Sequence, residues 1–251
     1  FDSEGACVSS DQAGRTTARE DARPTGVSIA FAPPDVLPDG IAKRGPLCLV
    51  RATMPPSDDS KAAVRWSVSA KLAGLSPERK REASVLACQL LEQQAVWKEA
   101  QTIFFYAPLK DEVDLWPLVQ DALARGRTVC LPRFDTATQR YVACEVKDLG
   151  ADLVNGKYGI REPGDRCVLV PLNRLDLILV PGVAFDLRGR RIGRGKGYYD
   201  RLLSLAGGLK CGVAFDEQIL AEIPTEPHDI TVDCILTPTR WIPPKSAPVV
   251  E

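Results

Sequence analysis

The sequence predicts a three-layer α/β domain with a mainly parallel β-sheet. Short apolar runs such as "QTIFFYAP" and "LDLILV" are typical of buried strands. Amphipathic segments with a helical period lie between these runs, and chains that alternate in this way build a parallel sheet covered by helices. The 251 residues, of which 45% are hydrophobic, provide enough apolar material for a buried core.

Composition divides the chain into three parts. Residues 1–59 are rich in Pro, Gly, Ala, Ser and Asp and keep no regular period, so we predict that they are disordered or form an extension foreign to the native domain. Residues 60–243 carry the α/β domain, and residues 244–251 form a tail. The single methionine, Met54, stands just before the first periodic segment, which favours translation from that point.

The first two periodic segments predict helices. "SKAAVRWSVSAKLAGL" places Val68 and Leu72 on one side and ends at Gly74. "SPERKREASVLACQLLEQQAVW" begins with Ser76 as the N-cap and Pro77 in the first turn. The apolar face that we predict for this second helix carries Val85, Leu86, Leu90, Leu91 and Val96.

Strands and helices then alternate to the end of the domain. "QTIFFYAP" predicts a strand, and "DLWPLVQDALARG" a helix with Asp114 near its start and Gly126 at its end. "RTVCLP" and "RYVACEV" predict two strands, and a strongly apolar strand covers residues 175–180. The remaining segments predict a helix in "YYDRLLSLAGG", a strand in "LKCGVAF", a short helix in "DEQILAEI" and a last strand in "TVDCILTP".

Composition also excludes several classes of protein. A formal net charge of -1 argues against a general nucleic-acid binder, and the chain has no apolar run long enough to span a membrane. The N-terminal stretch lacks the features of a secretory signal or transit peptide, so we expect a cytoplasmic protein and leave an organelle open. The eight cysteines are scattered without a Cys-x-x-Cys, which is typical of buried free thiols.

The most unusual stretch is "RGRRIGRGKGYYDRLL", residues 188–203. Three glycines alternate with Arg194 and Lys196 directly before a predicted helix. Glycine leaves the backbone free to turn its N–H groups toward one point, and such a concavity binds anions. Together with two cations and the helix N-terminus, this loop predicts a site for phosphate, and its excess of charge suits a polyphosphate.

The loop matches neither common phosphate motif. A Walker loop would require glycine at the position of Arg190 and Ser or Thr after Lys196, and a dinucleotide fingerprint would require glycine at Tyr198. Asp200 is open to two interpretations, a partner of the helix dipole or a magnesium ligand beside the phosphates. A solvated basic turn is the remaining alternative for the whole loop.

The segment "LDLILVPGVAFDLRGRRIGRGKGYYDRLL" resembles the 5-formyltetrahydrofolate cyclo-ligase family, also called 5,10-methenyltetrahydrofolate synthetase. The resemblance extends from Lys61 to Thr237 through "KAAVR", "YAPLKDEVDLWPLV", "YGIREP" and "HDITVDCILTP". It implies a three-layer Rossmann-like fold of the NagB/RpiA/CoA-transferase-like type. It also implies an ATP- and Mg²⁺-dependent reaction that converts 5-formyltetrahydrofolate into 5,10-methenyltetrahydrofolate, ADP and phosphate, by a protein that we expect to be monomeric.

The resemblance further implies a role for particular residues. Arg194 and Lys196 would be catalytic, facing the phosphates and the formyl group, and Asp200 and Asp233 would hold Mg²⁺. ATP would contact Lys61, Arg65, Arg191, Ile192, Gly193, Arg194, Gly195, Lys196, Gly197, Tyr198 and Tyr199. The folate, which could carry further glutamates, would contact Ala107, Glu112, Arg194, Gly195, Lys196, Gly197 and Tyr198.

A few further side chains are candidates for the folate side. Phe105 and Tyr106 would wall the pterin, Glu162 would shape its surroundings, and Trp116 and Tyr158 are aromatic alternatives that are more often packing residues. Without the resemblance, Glu112 is an acidic residue before a helix. The only histidine, His228, is interpreted as structural or peripheral, because the implied chemistry requires no histidine base.

Two other functions remain open at this point. The basic, tyrosine-containing loop could bind RNA, as Arg/Gly segments with stacking aromatics do, although no RNA-binding motif accompanies it. The chain could instead be a catalytically silent relative that binds 5-formyltetrahydrofolate without consuming ATP. The presence of Arg194, Lys196, Asp200 and Glu112 favours the enzyme over both alternatives.

Overall fold

A computed structural model describes residues 60–156 and 160–243, so the prediction for residues 1–59 lies outside the described part. Each of the first two helices begins at the serine cap predicted from the sequence: the Oγ atoms of Ser60 and Ser76 accept hydrogen bonds from the backbone three residues later. The helices are α1 (Lys61–Ala73), α2 (Pro77–Glu92), α3 (Ala95–Glu99), α4 (Trp116–Ala124) and α5 (Tyr198–Leu203).

Thirteen strands were assigned in the described residues, eight of them in one sheet. They are β1 (Thr102–Phe104), β2 (Thr128–Asp135), β3 (Arg140–Val146), β4 (Leu153–Asn155), β5 (Arg161–Pro163), β6 (Leu169–Val170), β7 (Leu177–Pro181), β8 (Ala184–Asp186), β9 (Arg191–Ile192), β10 (Leu209–Val213), β11 (Ile219–Leu220), β12 (Cys234–Leu236) and β13 (Trp241–Ile242). The order in the large sheet is β13-β12-β10-β7-β1-β2-β3-β6.

The middle of this sheet is parallel, as predicted. β12, β10, β7, β1 and β2 pair in parallel, and β13 and β3 add antiparallel neighbours on either side. The chain leaves β1 toward β2 on one side and later returns to place β7 on the other side. The connections after β1 and β7 therefore diverge at the carboxyl ends of two adjacent strands, which is where open α/β sheets form ligand sites.

Two apolar cores show that the sheet lies between layers. Along β7, Leu177 and Leu179 join a core with residues of α1 to α4, whereas Ile178 and Val180 join a second core with Leu202 and Leu203 of α5. Successive side chains of a strand point to opposite faces, so this alternation places α1 to α4 on one face and α5 on the other. The predicted three layers are thus confirmed.

The buried face of α2 differs from the predicted one. Val85 and Leu86 are about half exposed, at 50% and 49%, and the buried residues are Ser84, Ala87, Cys88 and Leu91. Ser84 tolerates burial because its Oγ donates to the carbonyl of Lys80 and accepts from the N–H of Asp114. The predicted helix also ends earlier, and the residues that follow form the separate helix α3.

The predicted helix in "DEQILAEI" is wrong. Only one 3₁₀ turn forms, Asp216–Gln218, and β11 follows it. The amide of Gln218 explains the difference, because it is buried and bound on both sides: its Oε1 accepts from Phe215 N–H, and its Nε2 donates to the carbonyls of Gly182 and Val183. These long-range bonds hold the segment against the β7–β8 turn.

The described residues bear on two expectations from composition, which concern membrane spans and the state of the cysteines. Between residues 60 and 243, omitting 157–159, no helix combines the length and apolar character that a membrane span requires. The six cysteines in this part are free and buried, as predicted: Cys88, Cys130, Cys144, Cys167, Cys211 and Cys234. Cys7 and Cys48 lie outside the described residues.

The corrected face of α2 predicts different costs for two identical substitutions. Leu91 is fully buried, so Leu91→Ala should lower the free energy of unfolding by about 2–5 kcal/mol. Leu86→Ala on the exposed side should change it by less than about 0.5 kcal/mol. Urea unfolding of both variants measures the difference, and equal losses would restore the face predicted from the sequence.

Candidate active site

A cleft of about 590 Å³ opens where the connections after β1 and β7 diverge. One wall is the segment that follows β1, which contributes Tyr106, Ala107 and Glu112. Another is the glycine loop, residues 193–197, together with the start of α5. The topology therefore brings the predicted phosphate loop and the predicted folate residues into one cleft, although some 80 residues separate them in the chain.

The glycine loop has the backbone geometry that its sequence predicts. Gly195 and Gly197 have φ angles of 92° and 64°, in the left-handed region that other residues rarely adopt. Within the described part of the chain, the N–H groups of residues 194–197 donate no hydrogen bond to the protein. They are available to an anion. Since α5 has only six residues, the loop and its cations carry most of this capacity rather than a helix dipole.

Helix α1 supports the loop from below. Nε of Arg65 donates to the carbonyl of Gly193 at 2.7 Å. Its guanidinium also lies close to Gly195, 3.6 Å from the position that a Cβ on this glycine would occupy. Lys61, one turn earlier, binds Asp229 at 2.7 Å and Glu226 at 3.2 Å. Both predicted cations of α1 line the cleft, but Lys61 already has two carboxylate partners.

Arg194 connects the two sides of the cleft. One nitrogen of its guanidinium, Nη2, lies 3.0 Å from Asp111 and 3.2 Å from Glu112. The other oxygen of Glu112 accepts from the N–H of Leu109 at 3.0 Å. Burial raises the pKa of the Glu112 carboxyl above its ordinary value, although Leu109 N–H and Arg194 both act to lower it. A largely buried acceptor thus lies beside the glycine loop.

Arg191 and Asp200 form the floor of the loop. Their side chains pair at 2.7 Å, and Arg191 also donates to the carbonyl of Pro181. Arg191 is buried and committed to these partners, and Ile192 packs its side chain into the core. Both residues, which were expected to contact ATP, line the cleft, but little of either side chain is accessible there.

Asp200 fits a magnesium ion as one ligand. In the described structure both of its hydrogen bonds, from Arg191 and from Ile230 N–H, go to Oδ1, so Oδ2 remains able to bind a cation. Mg²⁺ binds oxygen ligands and commonly takes one or two carboxylates plus phosphate oxygens. Asp200 lies in the same cleft as the loop, which matches that set of ligands.

Asp233, the second predicted magnesium ligand, lies elsewhere. Its Oδ2 accepts from the backbone N–H of Lys210 at 2.7 Å, beside the first residues of β10. That is the amino end of a parallel strand, whereas the cleft lies at the carboxyl ends. Asp233 instead borders a separate, smaller depression with Leu187 and Arg188. The predicted pairing of Asp200 and Asp233 in one metal site is therefore corrected.

An aromatic cluster lines another part of the cleft. The ring of Tyr198 packs against Phe134 and Tyr141, with centroids 5.1 and 5.4 Å apart, and Tyr199 packs against Tyr141 at 5.9 Å. The guanidinium of Arg201 lies over the ring of Tyr198, 5.0 Å from its centroid. The cluster fixes the residues that directly follow the glycine loop.

Of the other aromatic candidates, only Tyr106 lines the cleft in the described part of the chain. Phe105 is fully buried against Trp97, and Trp116 lies under Arg161 away from the cleft lining. Tyr106 lines the cleft and anchors its wall through a hydrogen bond from its hydroxyl to Val113 O. Tyr158 lies outside the described residues.

The structure adds residues that the sequence analysis missed. Glu226 and Asp229 line the cleft with His228, which is exposed and lies 3.2 Å from Glu226, so the histidine is at the rim of the site. Their potential ligand atoms lie within 4.8 Å of one another, but the ammonium of Lys61 already pairs with both carboxylates. The segment "HDITVD" could have indicated from the sequence that Asp229 belongs to the site. No sequence feature indicated Asp111 or Tyr141.

Comparisons with known proteins agree with this geometry. Residues 57–238 match the sequence model of the 5-formyltetrahydrofolate cyclo-ligase family. A protein of that name from Mus musculus is 29% identical over 190 residues, covering 71% of this chain and 94% of its own. Another, from Mycolicibacterium smegmatis, is 36% identical over 147 residues, covering 57% of this chain and 76% of its own.

Solved structures give the same result. The NMR structure of Aquifex aeolicus 5,10-methenyltetrahydrofolate synthetase superposes with a TM-score of 0.69 at 36% identity, covering 76% of this chain and 96% of the other. A synthetase of the same name from Mycoplasma pneumoniae, at 23% identity and a TM-score of 0.58, shares the fold over 71% of this chain and 99% of its own. The chain therefore belongs to the 5-formyltetrahydrofolate cyclo-ligase family, a family of ligases.

Proposed function

We propose that this protein uses ATP to cyclise 5-formyltetrahydrofolate to 5,10-methenyltetrahydrofolate, with release of ADP and phosphate. The observation that carries the proposal is the contact between Arg194 and Glu112. It joins a glycine loop suited to phosphates and a buried carboxylate suited to the N–H donors of a pterin. A reaction between a nucleotide's terminal phosphoryl group and a folate needs these two subsites in direct contact.

The phosphates are expected on the loop. The free N–H groups of residues 194–197 would bind phosphate oxygens, and Lys196, which is exposed at the loop, would neutralise their charge. Arg65 fixes the loop through Gly193 O and would add its guanidinium near Gly195. Lys61 would contact ATP only by sharing its ammonium with Asp229 and Glu226.

The chemistry requires activation of a poor leaving group. The formyl oxygen of the folate attacks the γ-phosphorus and ADP leaves, so that the oxygen becomes part of a phosphate. N10 then attacks the formyl carbon. The bond between that carbon and the phosphorylated oxygen breaks, and phosphate leaves. Arg194 contacts Glu112 and belongs to the glycine loop. It would stabilise the charge that develops on the transferred phosphoryl group.

Asp200 would hold the magnesium ion that accompanies ATP. When bound, the ion neutralises phosphate charge and orients the terminal phosphoryl group. The chain's own contribution is the Arg191–Asp200 pair, which holds the carboxylate in place at the start of α5.

The role of the loop arginine can be tested against a matched arginine. Arg194→Ala should lower kcat/KM for methenyl formation by about 100- to 1,000-fold, because it removes a charged donor from the transition state. Arg188→Ala should leave turnover unchanged, since the Arg188 side chain is exposed outside the cleft and pairs with Glu222 at 3.6 Å. The assay follows the methenyl chromophore with purified protein, Mg-ATP and 5-formyltetrahydrofolate.

Two results would contradict the proposed function itself. Tight binding of the folate by the unaltered protein without ATP consumption would identify a silent binding protein. Absence of turnover together with RNA binding that weakens steeply with salt would identify a nucleic-acid ligand for the loop. Equal turnover of the Arg194→Ala and Arg188→Ala variants would refute the assigned site while leaving the activity intact.

Glu112 predicts a pH-dependent affinity. The folate KM should rise as pH falls through the Glu112 pKa, because only the ionised carboxyl accepts two N–H donors. Since burial raises this pKa, the rise should begin above the range of an ordinary glutamate. Glu112→Gln should have a high KM that does not change with pH, and a KM of unaltered protein that is constant in this range would contradict the role.

The same shift predicts an opposite effect on stability. A raised pKa means that the fold favours the protonated form, so this contribution is complete in acid and is lost as pH rises through the shifted pKa. Glu112→Gln should therefore raise the free energy of unfolding at neutral pH and leave it nearly unchanged in acid. Urea unfolding at both pH values checks the sign.

A further inference from the structure

Of the residues that the structure describes, five carboxylates line the cleft, and four of them have cationic partners. Glu112 pairs with Arg194, Asp200 with Arg191, and Asp229 and Glu226 with Lys61. The fifth is Glu162, which has no ion pair with any residue of the described ranges, 60–156 and 160–243. Among the described residues, Glu162 is therefore the one carboxylate of the cleft that no guanidinium or ammonium pairs with.

The structure holds Glu162 firmly in this position. It is the middle residue of β5, which packs against β2. Its side chain packs directly over Gly156, where an added Cβ would come within 2.5 Å of the carboxyl carbon. The ring of Phe134 on β2 packs against that of Tyr198 at the start of α5. Glu162 therefore lies near the aromatic cluster that follows the glycine loop.

Two ionisable groups on the strands packed against β5 have partners of their own. Arg133 on β2 bonds to Gly164 O and pairs with Asp165, and Tyr141 on β3 lies in the aromatic cluster. Two effects shift the pKa of Glu162: burial raises it, and the hydrogen bond from Phe134 N–H lowers it, with a net rise. A carboxylate with a raised pKa is a better proton acceptor near neutral pH.

The reaction needs such an acceptor. N10 of the folate carries a hydrogen before it attacks and none in the methenyl product, and an arylamine that has bonded to carbon is strongly acidic. We propose that Glu162 is the catalytic base that accepts the N10 proton as the ring closes. This inference rests on the proposed function and adds a catalytic residue to it.

The N10 lone pair forms the new bond to the formyl carbon while the π bond between that carbon and N5 breaks with its electron pair on N5. The N10–H proton passes to the Glu162 carboxylate. The N5 lone pair then forms the double bond of the methenyl bridge, and the carbon–oxygen bond breaks with its electron pair on the departing phosphate. Glu162 returns the proton to that phosphate, which regenerates the carboxylate.

The other basic groups of the cleft suit this role less well. Glu112 is bound by Arg194 and by Leu109 N–H, and Asp200 by Arg191, so each already carries a hydrogen-bonded cation. His228 has a side chain 72% exposed at the rim and contacts Glu226. A proton passed to His228 would enter solvent rather than return to the phosphate.

The test separates the two chemical steps. In rapid-quench mixing of the holoenzyme with Mg-ATP and 5-formyltetrahydrofolate, Glu162→Gln should still form one equivalent of ADP at an unaltered rate. Methenyl formation should be slower by at least about 100-fold, the usual contribution of a general base. Glutamine is isosteric and keeps an acceptor for Phe134 N–H, and Glu145→Gln, on β3 outside the cleft, is the matched control.

The pH profile gives a second, independent readout. The kcat of unaltered protein should fall as pH decreases through the Glu162 pKa, and Glu162→Gln should abolish this acid limb while Glu162→Asp retains it at a lower rate. ADP and methenyl formation that fall together, or a raised KM with unchanged kcat, would overturn the assignment. Absence of methenyl formation in the unaltered protein would instead refute the proposed function.

Discussion

The order of the parallel strands is the constraint on which the site depends. Because β7 pairs with β1 on the side opposite β2, the segments after β1 and β7 emerge side by side and lead in different directions. The first ends at Glu112 and the second contains the glycine loop. No local feature of either segment brings them together; the contact between Arg194 and Glu112 is a consequence of strand order.

Charge compensation then shapes what the cleft can do. Among the described residues, most of its carboxylates pair with a specific cation. Lys61 bridges two acids, Arg191 holds Asp200, and Arg194 is shared by Asp111 and Glu112. A site built for a polyanion must keep its cations in position without a ligand, and internal carboxylates do this. The same pairing leaves Glu162 chemically different from its neighbours.

Features encoded locally were predictable from the sequence. The serine caps of α1 and α2, the glycine loop and its cations depend on neighbouring residues, and the structure has them as predicted. Features that depend on distant partners were not. Ser84 is buried because it accepts a hydrogen bond from Asp114 N–H. Gln218 prevents a helix because its amide bonds to the β7–β8 turn. Asp233 accepts a hydrogen bond from Lys210 N–H at the amino end of β10.

The contact between Arg194 and Glu112 also implies an order of events on binding. A pterin that takes the oxygens of Glu112 displaces part of the guanidinium's coordination, yet Asp111 binds the same nitrogen at 3.0 Å and remains. Arg194 is half exposed, so losing one partner costs it little. The released donor would then be available to the phosphates that we propose for the adjacent N–H groups. Folate binding would thus convert an internal ion pair into a contact with the transferred phosphoryl group, which joins recognition of one substrate to activation of the other.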